Sequence, residues 1–281
     1  MTLPQGLDQL FRDGSAASRT LDVALPPGRL VVPDGERTPP HPAYWLSDAA
    51  APEGLWERLR AAHARSGLWP LLLTDLDAES GRPWATGEVH ITGHTSPAGH
   101  DAEAVLARWW TEINSPSPDD TEDSYPPELA GGHDGSDTFG LAWPGLAAAG
   151  ALAVVPDRHA DEVAAALADG HARLGLVAAD RGADALTVAG WSGPVNHTED
   201  TALISAVIRS WEERFGVRVI SVGFAALTLS VAAPPLDITQ ARAVAYEHLA
   251  FCPDNVWQGV GSVADYSETI LGAPIWSFWW D

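Results

Sequence analysis

Between Glu247 and Asp254 the chain places a carboxylate, an imidazole, a thiol and a second carboxylate in one short stretch, Tyr-Glu-His-Leu-Ala-Phe-Cys-Pro-Asp-Asn-Val-Trp-Gln-Gly (246–259). A thiol beside an imidazole is the raw material of a thiolate–imidazolium nucleophile, with Glu247 or Asp254 available to orient the ring. His248 and Cys252 stand four apart, so an uninterrupted helix would bring them to one face. Pro253 opposes this: the residue before a proline is pushed out of helical geometry, so the helix should end near Phe251. Glu247 and His248 are adjacent, ~100° apart around a helix, and cannot both face one reacting atom. The stretch also reads as a plain helix exit. In that reading Cys252 is a small buried apolar residue, His248 lends charge to the helix C-terminus, and Asp254 or Asn255 caps the next turn. His248, Cys252 and Asp254 are the catalytic candidates.

Histidines recur in Gly-Glu-Val-His-Ile-Thr-Gly-His-Thr-Ser-Pro-Ala-Gly-His-Asp (87–101). His90 and His94 have the spacing of a helical zinc pair, but Gly93 and the β-branched neighbours favour a strand or turn. On a strand, positions four apart lie ~13 Å from one another, too far to share a metal. Glu88, His90 and His100 converge only if a loop brings them together, so no metal site is assigned. The single cysteine excludes an internal disulfide and a multi-thiolate zinc site. Two near-motifs fail on context, and no cofactor is assigned. Gly-Val-Gly-Ser-Val-Ala (259–264) lacks a preceding strand, and Gly-Trp-Ser-Gly-Pro (190–194) misses the nucleophile-elbow spacing.

Charge narrows the classes of partner. Against 38 acidic residues stand 16 basic ones, all arginine, for a net charge of −22. That surface repels nucleic-acid phosphates and anionic membranes and favours a basic protein partner or cationic ligand; a small-molecule ligand is not excluded. Without lysine there is no Schiff base and no P-loop. No leader or membrane-spanning run is evident, so a cytoplasmic protein is expected.

The elements that must position these groups follow from pattern and punctuation. Residues 21–35 read as two short extended segments around a Pro-Pro-Gly turn, and 51–67 as a helix with Pro52 in its first turn and Gly67 at its end. An apolar strand (68–76) and a helix (100–113) follow. Residues 114–137 carry seven carboxylates, four prolines and no basic residue, and read as an acidic exposed connection. Then 151–156 and 173–179 read as strands around a helix (157–170), a β-α-β unit. A helix over 198–216 has Thr198 as its cap, 217–223 and 226–235 form a hairpin, and a helix runs over 237–251. The expectation is an α/β or α+β fold, a mixed β-sheet layered with helices plus a less regular N-terminal portion. Its organisation is an N-terminal α+β portion (1–113), the acidic connection (114–140) and a C-terminal domain (141–281).

Three C-terminal stretches carry a resemblance: Arg-Ser-Trp-Glu-Glu-Arg-Phe-Gly-Val-Arg-Val-Ile-Ser-Val-Gly-Phe (209–224), Glu-His-Leu-Ala-Phe-Cys-Pro-Asp-Asn-Val-Trp-Gln-Gly (247–259) and Trp-Ser-Phe-Trp-Trp-Asp (276–281). Together they resemble the bacterial domain-of-unknown-function family 4253 over about residues 150–281. The N-terminal half, with Tyr-Trp-Leu-Ser-Asp (44–48) and Ser-Gly-Leu-Trp-Pro-Leu-Leu-Leu (66–73), is similar to the extension of longer members from high-GC bacteria. The resemblance implies a single domain ending at Asp281 and supplies no catalytic residues.

Thirteen tryptophans are the least ordinary feature of the composition. In an adjacent pair on a strand, the rings point to opposite faces, and both are buried only in a covered sheet. Trp109-Trp110 and Trp279-Trp280 are the adjacent pairs, and an exposed member would be a recognition site. The binding candidates are Trp191, Asn196, His197, Trp257, Gln258, Trp279, Trp280 and Asp281. The leading expectation is a non-enzymatic protein-binding module, immunity-like or regulatory, with an acidic tryptophan-bearing surface. The rival is a hydrolase or transferase with its pocket near His248, Cys252 and Asp254.

Overall fold

A computed structural model describes residues 19–34, 41–114, 138 and 141–281, apart from positions 78 and 169. Residues 115–137 of the acidic connection lie outside them. Seven strands form one sheet: β1 (Gly28–Val31), β2 (Tyr44–Ala50), β3 (Leu68–Leu73), β4 (Arg173–Ala178), β5 (Val217–Val222), β6 (Ala226–Val231) and β7 (Ile275–Trp279). Their order is β1-β2-β4-β3-β5-β6-β7. Neighbours pair antiparallel except β3 and β5, which run parallel through Leu72–Ser221 and Leu73–Val222. The fold is α+β, with a mixed sheet covered by helices on both faces.

One face carries α1 (Leu55–Ser66) and α3 (Pro156–Leu167); the other carries α2 (Ala102–Ile113), α4 (Ala185–Ala189), α5 (Thr201–Phe215), α6 (Ile238–Phe251) and α7 (Val263–Ile270). Strand alternation divides the side chains between these layers. Tyr44 and Leu46 join the larger core and Trp45 the smaller, while all six residues of β3 are buried, as a strand covered on both faces requires. Pro70 deprives β3 of a ladder donor, and the Trp69 indole N–H donates to the Val219 carbonyl at 3.0 Å.

Helix ends follow their signals with local shifts. Gly67 and Gly216 end α1 and α5 in the left-handed conformation that glycine adopts without strain. Asp101, Asp200 and Asp237 accept N-terminal amides of α2, α5 and α6. The cap of α5 is therefore Asp200 and not Thr198, whose hydroxyl accepts from the Asp200 amide instead. Pro52 lies outside α1, where its carbonyl accepts from Leu55. Residues 21–26 form no strand, leaving Gly28–Val31 as the extended segment of that region.

The expected strand at 151–156 does not form, and the β-α-β unit falls with it. Leu152, Val154 and Val155 are exposed, and Pro156 instead starts α3. A short apolar run cannot by itself be distinguished from an exposed turn; only a partner strand makes it a strand.

Candidate functional site

α6 does end at Phe251, with Cys252 just beyond it and out of helical geometry. Glu247, His248 and Cys252 are all fully buried. His248 sits among the rings of Trp211, Tyr266, Trp276 and Phe278. Its Nδ1 lies 3.1 Å from the Tyr266 hydroxyl, and its Nε2 has no partner among the described residues. Burial, helped by the Arg214 charge, pushes this histidine down to about 3. Burial pushes the Cys252 thiol up to about 12. The thiol donates to the Trp279 carbonyl at 2.9 Å. Both shifts oppose a thiolate–imidazolium pair, which needs a low thiol and a high imidazole pKa. The buried His248 is equally unsuited to lending charge to the helix end.

Glu247 organises the core beneath. Its carboxylate accepts from the Ala147 amide (2.7 Å), the Trp211 indole (2.8 Å) and two Arg214 nitrogens (2.7 and 2.6 Å). Residues 141–150 have no regular structure, and this bidentate pair ties them to α5 and α6. In Trp-Glu-x-Arg-Phe-Gly, Trp211 and Arg214 thus share one acceptor, Phe215 is core and Gly216 ends the helix. The motif is architectural.

So is Cys-Pro-Asp-Asn. β7 closes one end of the sheet, and its outer edge would present the backbone groups of Ser277, Trp279 and Asp281 unpaired. Side chains from the turn after α6 meet them. Asn255 donates to the Ser277 carbonyl (2.6 Å) and accepts from the Trp279 amide (3.2 Å). Cys252 takes the Trp279 carbonyl, and Asp254 accepts from the Asp281 amide (3.1 Å). The turn acts as a surrogate strand, held by a π-helical turn over Asn255–Val260. Asp254 stands at the N-cap position of that turn, but its side chain accepts from Gln258 and makes no capping bond to the turn's amides.

The edge so fixed forms one wall of a cleft of about 560 Å³. It is lined by the residues that follow β3 (Thr74–Leu76), the end of β7 and the two residues beyond it (Trp279–Asp281), the β5–β6 hairpin turn and the Ser192–Asn196 loop. Parallel β3 and β5 bring their carboxyl ends to one side, the place where sheets of this kind leave a crevice. Trp279 is 39% exposed while Trp280 is 5% exposed, because the strand turns them to opposite faces. Trp109 and Trp110, on α2, are both buried. Leu76, Val195 and Phe224 are also exposed, so four large apolar side chains collect at this cleft. Arg82 stacks over Phe224 at 5.2 Å, whereas no ring or cation covers Trp279 among the described residues. Asp75 at the rim is paired with Arg173 at 2.6 Å, and Asp281 adds a second carboxylate.

Of the residues singled out in the sequence, the cleft gathers Asn196, Trp279, Trp280 and Asp281. Asn196 donates to the Asp281 carbonyl at 2.8 Å. Trp191 lies below, buried edge-on to Trp280, its indole donating to the Gly223 and Phe224 carbonyls. Trp257 packs half-buried against the core, and Gln258 is exposed on the π-helical turn. His197 packs at a tilt against Trp109, ring centroids 4.6 Å apart, and burial lowers it to about 4. Leu76, Val195 and Phe224 carried no sequence signal: each is an ordinary apolar residue beside a turn, and only tertiary contact makes them a patch.

A second, polar cleft of about 480 Å³ lies across the Ser192–Val195 loop, lined by His90, His94, Glu199 and Asp200 among others. Asp200 accepts from the Thr95 amide (3.2 Å) and hydroxyl (2.5 Å), and the hydroxyl in turn meets His100 Nε2 at 2.5 Å. Among the described residues no group of three or more His, Cys, Asp or Glu side chains is arranged to hold a metal.

An α+β protein with an accessible cleft at the side of the sheet where β3 and β7 end is the class these observations define. Residues 173–281, the C-terminal part of the chain, match the family described as Domain of unknown function (DUF4253). The match starts at β4, later than residue 150, from which the sequence resemblance is read. No curated protein and no solved structure matches the chain.

Proposed function

We propose that the protein is a non-enzymatic binding module that takes a basic segment of a partner protein into the Trp279 cleft. The observation that carries this reading is the collection of exposed Leu76, Val195, Phe224 and Trp279 around one concavity. Clustered exposed apolar side chains mark interaction sites, and tryptophan is the residue most enriched in binding hot spots. The net charge of −22 selects the sign of the partner, since complementary charge speeds encounter and excludes acidic competitors. Arg82 stacked on Phe224 is an internal example of what Trp279 would offer an incoming guanidinium. Masking a basic protein in the cytoplasm, in an immunity-like or regulatory role, is the corresponding activity. Hydrolase or transferase chemistry at His248 and Cys252 finds no such support, because both groups are sealed from solvent and shifted away from reactivity.

Calorimetric titration with an arginine-bearing peptide and its glutamate-substituted counterpart tests this. The arginine peptide should bind, the counterpart should not, and Trp279→Ala should weaken binding by about tenfold to a hundredfold, as expected for a hot-spot aromatic. Equal binding of both peptides, or an unaffected W279A variant, would sink the proposal.

A further inference from the structure

The polar cleft beyond the Ser192–Val195 loop contains a group whose hydrogen-bonding capacity is unmet. The His94 side chain is 9% exposed. Its Nε2–H donates to the His90 carbonyl at 2.6 Å, which fixes the ring orientation. Its Nδ1 is buried and has no hydrogen-bond partner among the described residues. That atom faces Asp200 Oδ1 across 3.6 Å, too far for a hydrogen bond. With the proton on Nε2, a neutral His94 presents a lone pair to a carboxylate, so two acceptors share one gap. Asp200 is held in place by Thr95 and by its capping of α5; burial pushes its carboxyl up, but those bonds together outweigh it and hold the group below the usual carboxylate range. Glu199 stands exposed beside it and supplies a further negative charge.

We infer that this second cleft is a subsite for a primary ammonium or guanidinium group, whose N–H donors bridge His94 Nδ1 and the Asp200 carboxylate. The inference rests on the partner reading above, because the two clefts share Ser192 and Val195 and flank one loop. A basic segment lying across that loop places one side chain against Trp279 and another between His94 and Asp200. The apolar cleft supplies contact area; the polar cleft supplies selection for a charged group with donors to give.

The test uses the full chain and two cations of equal charge. n-Butylammonium has three N–H donors and tetramethylammonium has none. Imidazole nitrogen resonances are followed by NMR during titration at constant ionic strength. n-Butylammonium should shift the His94 Nδ1 resonance saturably and tetramethylammonium should not. Asp200→Asn retains a capping oxygen for α5 while removing the charge, and it should raise the apparent Kd at least tenfold. His94→Phe, which leaves Asp200 and the cap untouched, should abolish saturable binding seen at the Glu199 and Asp200 amides. Identical, non-saturating responses to both cations, or undiminished n-butylammonium binding in both variants, would overturn the subsite. Trp279→Ala separates the two proposals. If it eliminates peptide binding but leaves the n-butylammonium response intact, both stand. If n-butylammonium binds while no basic peptide does, the subsite stands and the partner reading fails. If a basic peptide binds at Trp279 while His94 stays silent to it and to n-butylammonium, the subsite fails alone.

Discussion

His248 is the residue whose environment departs furthest from what its type suggests. An imidazole held at about 3 by burial stays neutral in the folded protein while the unfolded chain protonates it near 6.5. The unfolded state therefore binds more protons as pH falls from 6.5 toward 3, and stability falls with it. One such histidine costs about 2 kcal/mol by pH 5, and His197, lowered to about 4, acts in the same direction. Protonation of surface carboxylates works oppositely by relieving the charge of −22, so wild type alone is not diagnostic. Urea unfolding at pH 7 and pH 5 should show a smaller loss for His248→Phe than for wild type. Equal losses in the two proteins would show that His248 does not set the acid sensitivity. The sequence placed His248 at the end of a helix, but it could not reveal four aromatic rings drawn from α5, α7 and β7.

At the scale of elements, the turn after α6 closes the exposed edge of β7. Replacing Asn255 by alanine removes a donor to Ser277, a donor to the Tyr266 hydroxyl at 3.2 Å and the acceptor for Trp279. Buried backbone groups left unpaired cost about 1–3 kcal/mol each, so Asn255→Ala should destabilise by about 3 kcal/mol. Amide hydrogen exchange gives the discriminating readout. The Trp279 amide should exchange faster in the variant, while β2 and β4 amides keep their relative protection. Unchanged protection at Trp279 would refute the surrogate-strand role. Cys-Pro-Asp-Asn was legible as a helix exit, since proline chemistry is local. Its pairing with a strand some twenty residues further along was not, because no periodicity encodes which loop lies against which edge.

At the scale of the molecule, the order of strands decides what folds together. The family match begins at β4, yet β4 and β5 are not neighbours: β3, from the N-terminal portion, lies between them. A fragment of residues 173–281 would leave β4 and β5 each lacking that partner, and would expose core side chains that pack on Trp69, Leu71 and Leu73. Such a fragment should show no cooperative urea transition and poor amide dispersion. A cooperative transition with native-like dispersion would show that the C-terminal segment is self-sufficient. The segment that follows β3 contributes Thr74–Leu76 to the Trp279 cleft, so the candidate site also draws on residues outside the family match.

The sequence by itself determined an α/β or α+β class with a mixed sheet, the positions of α1, α2, α5, α6 and most strands, and the resemblance of the C-terminal segment to a family. These depend on local periodicity, capping and motif identity. It also determined the sign of the charge. Tertiary structure alone decided that residues 151–156 are not a strand, that Glu247 and His248 are core, and that Trp279 is the exposed member of its pair. It alone gathered Leu76, Val195 and Phe224 around that ring. The physical reason is common to all of these: burial and pairing are properties of what lies opposite a residue, and that partner is set by the sheet order rather than by its neighbours in the chain.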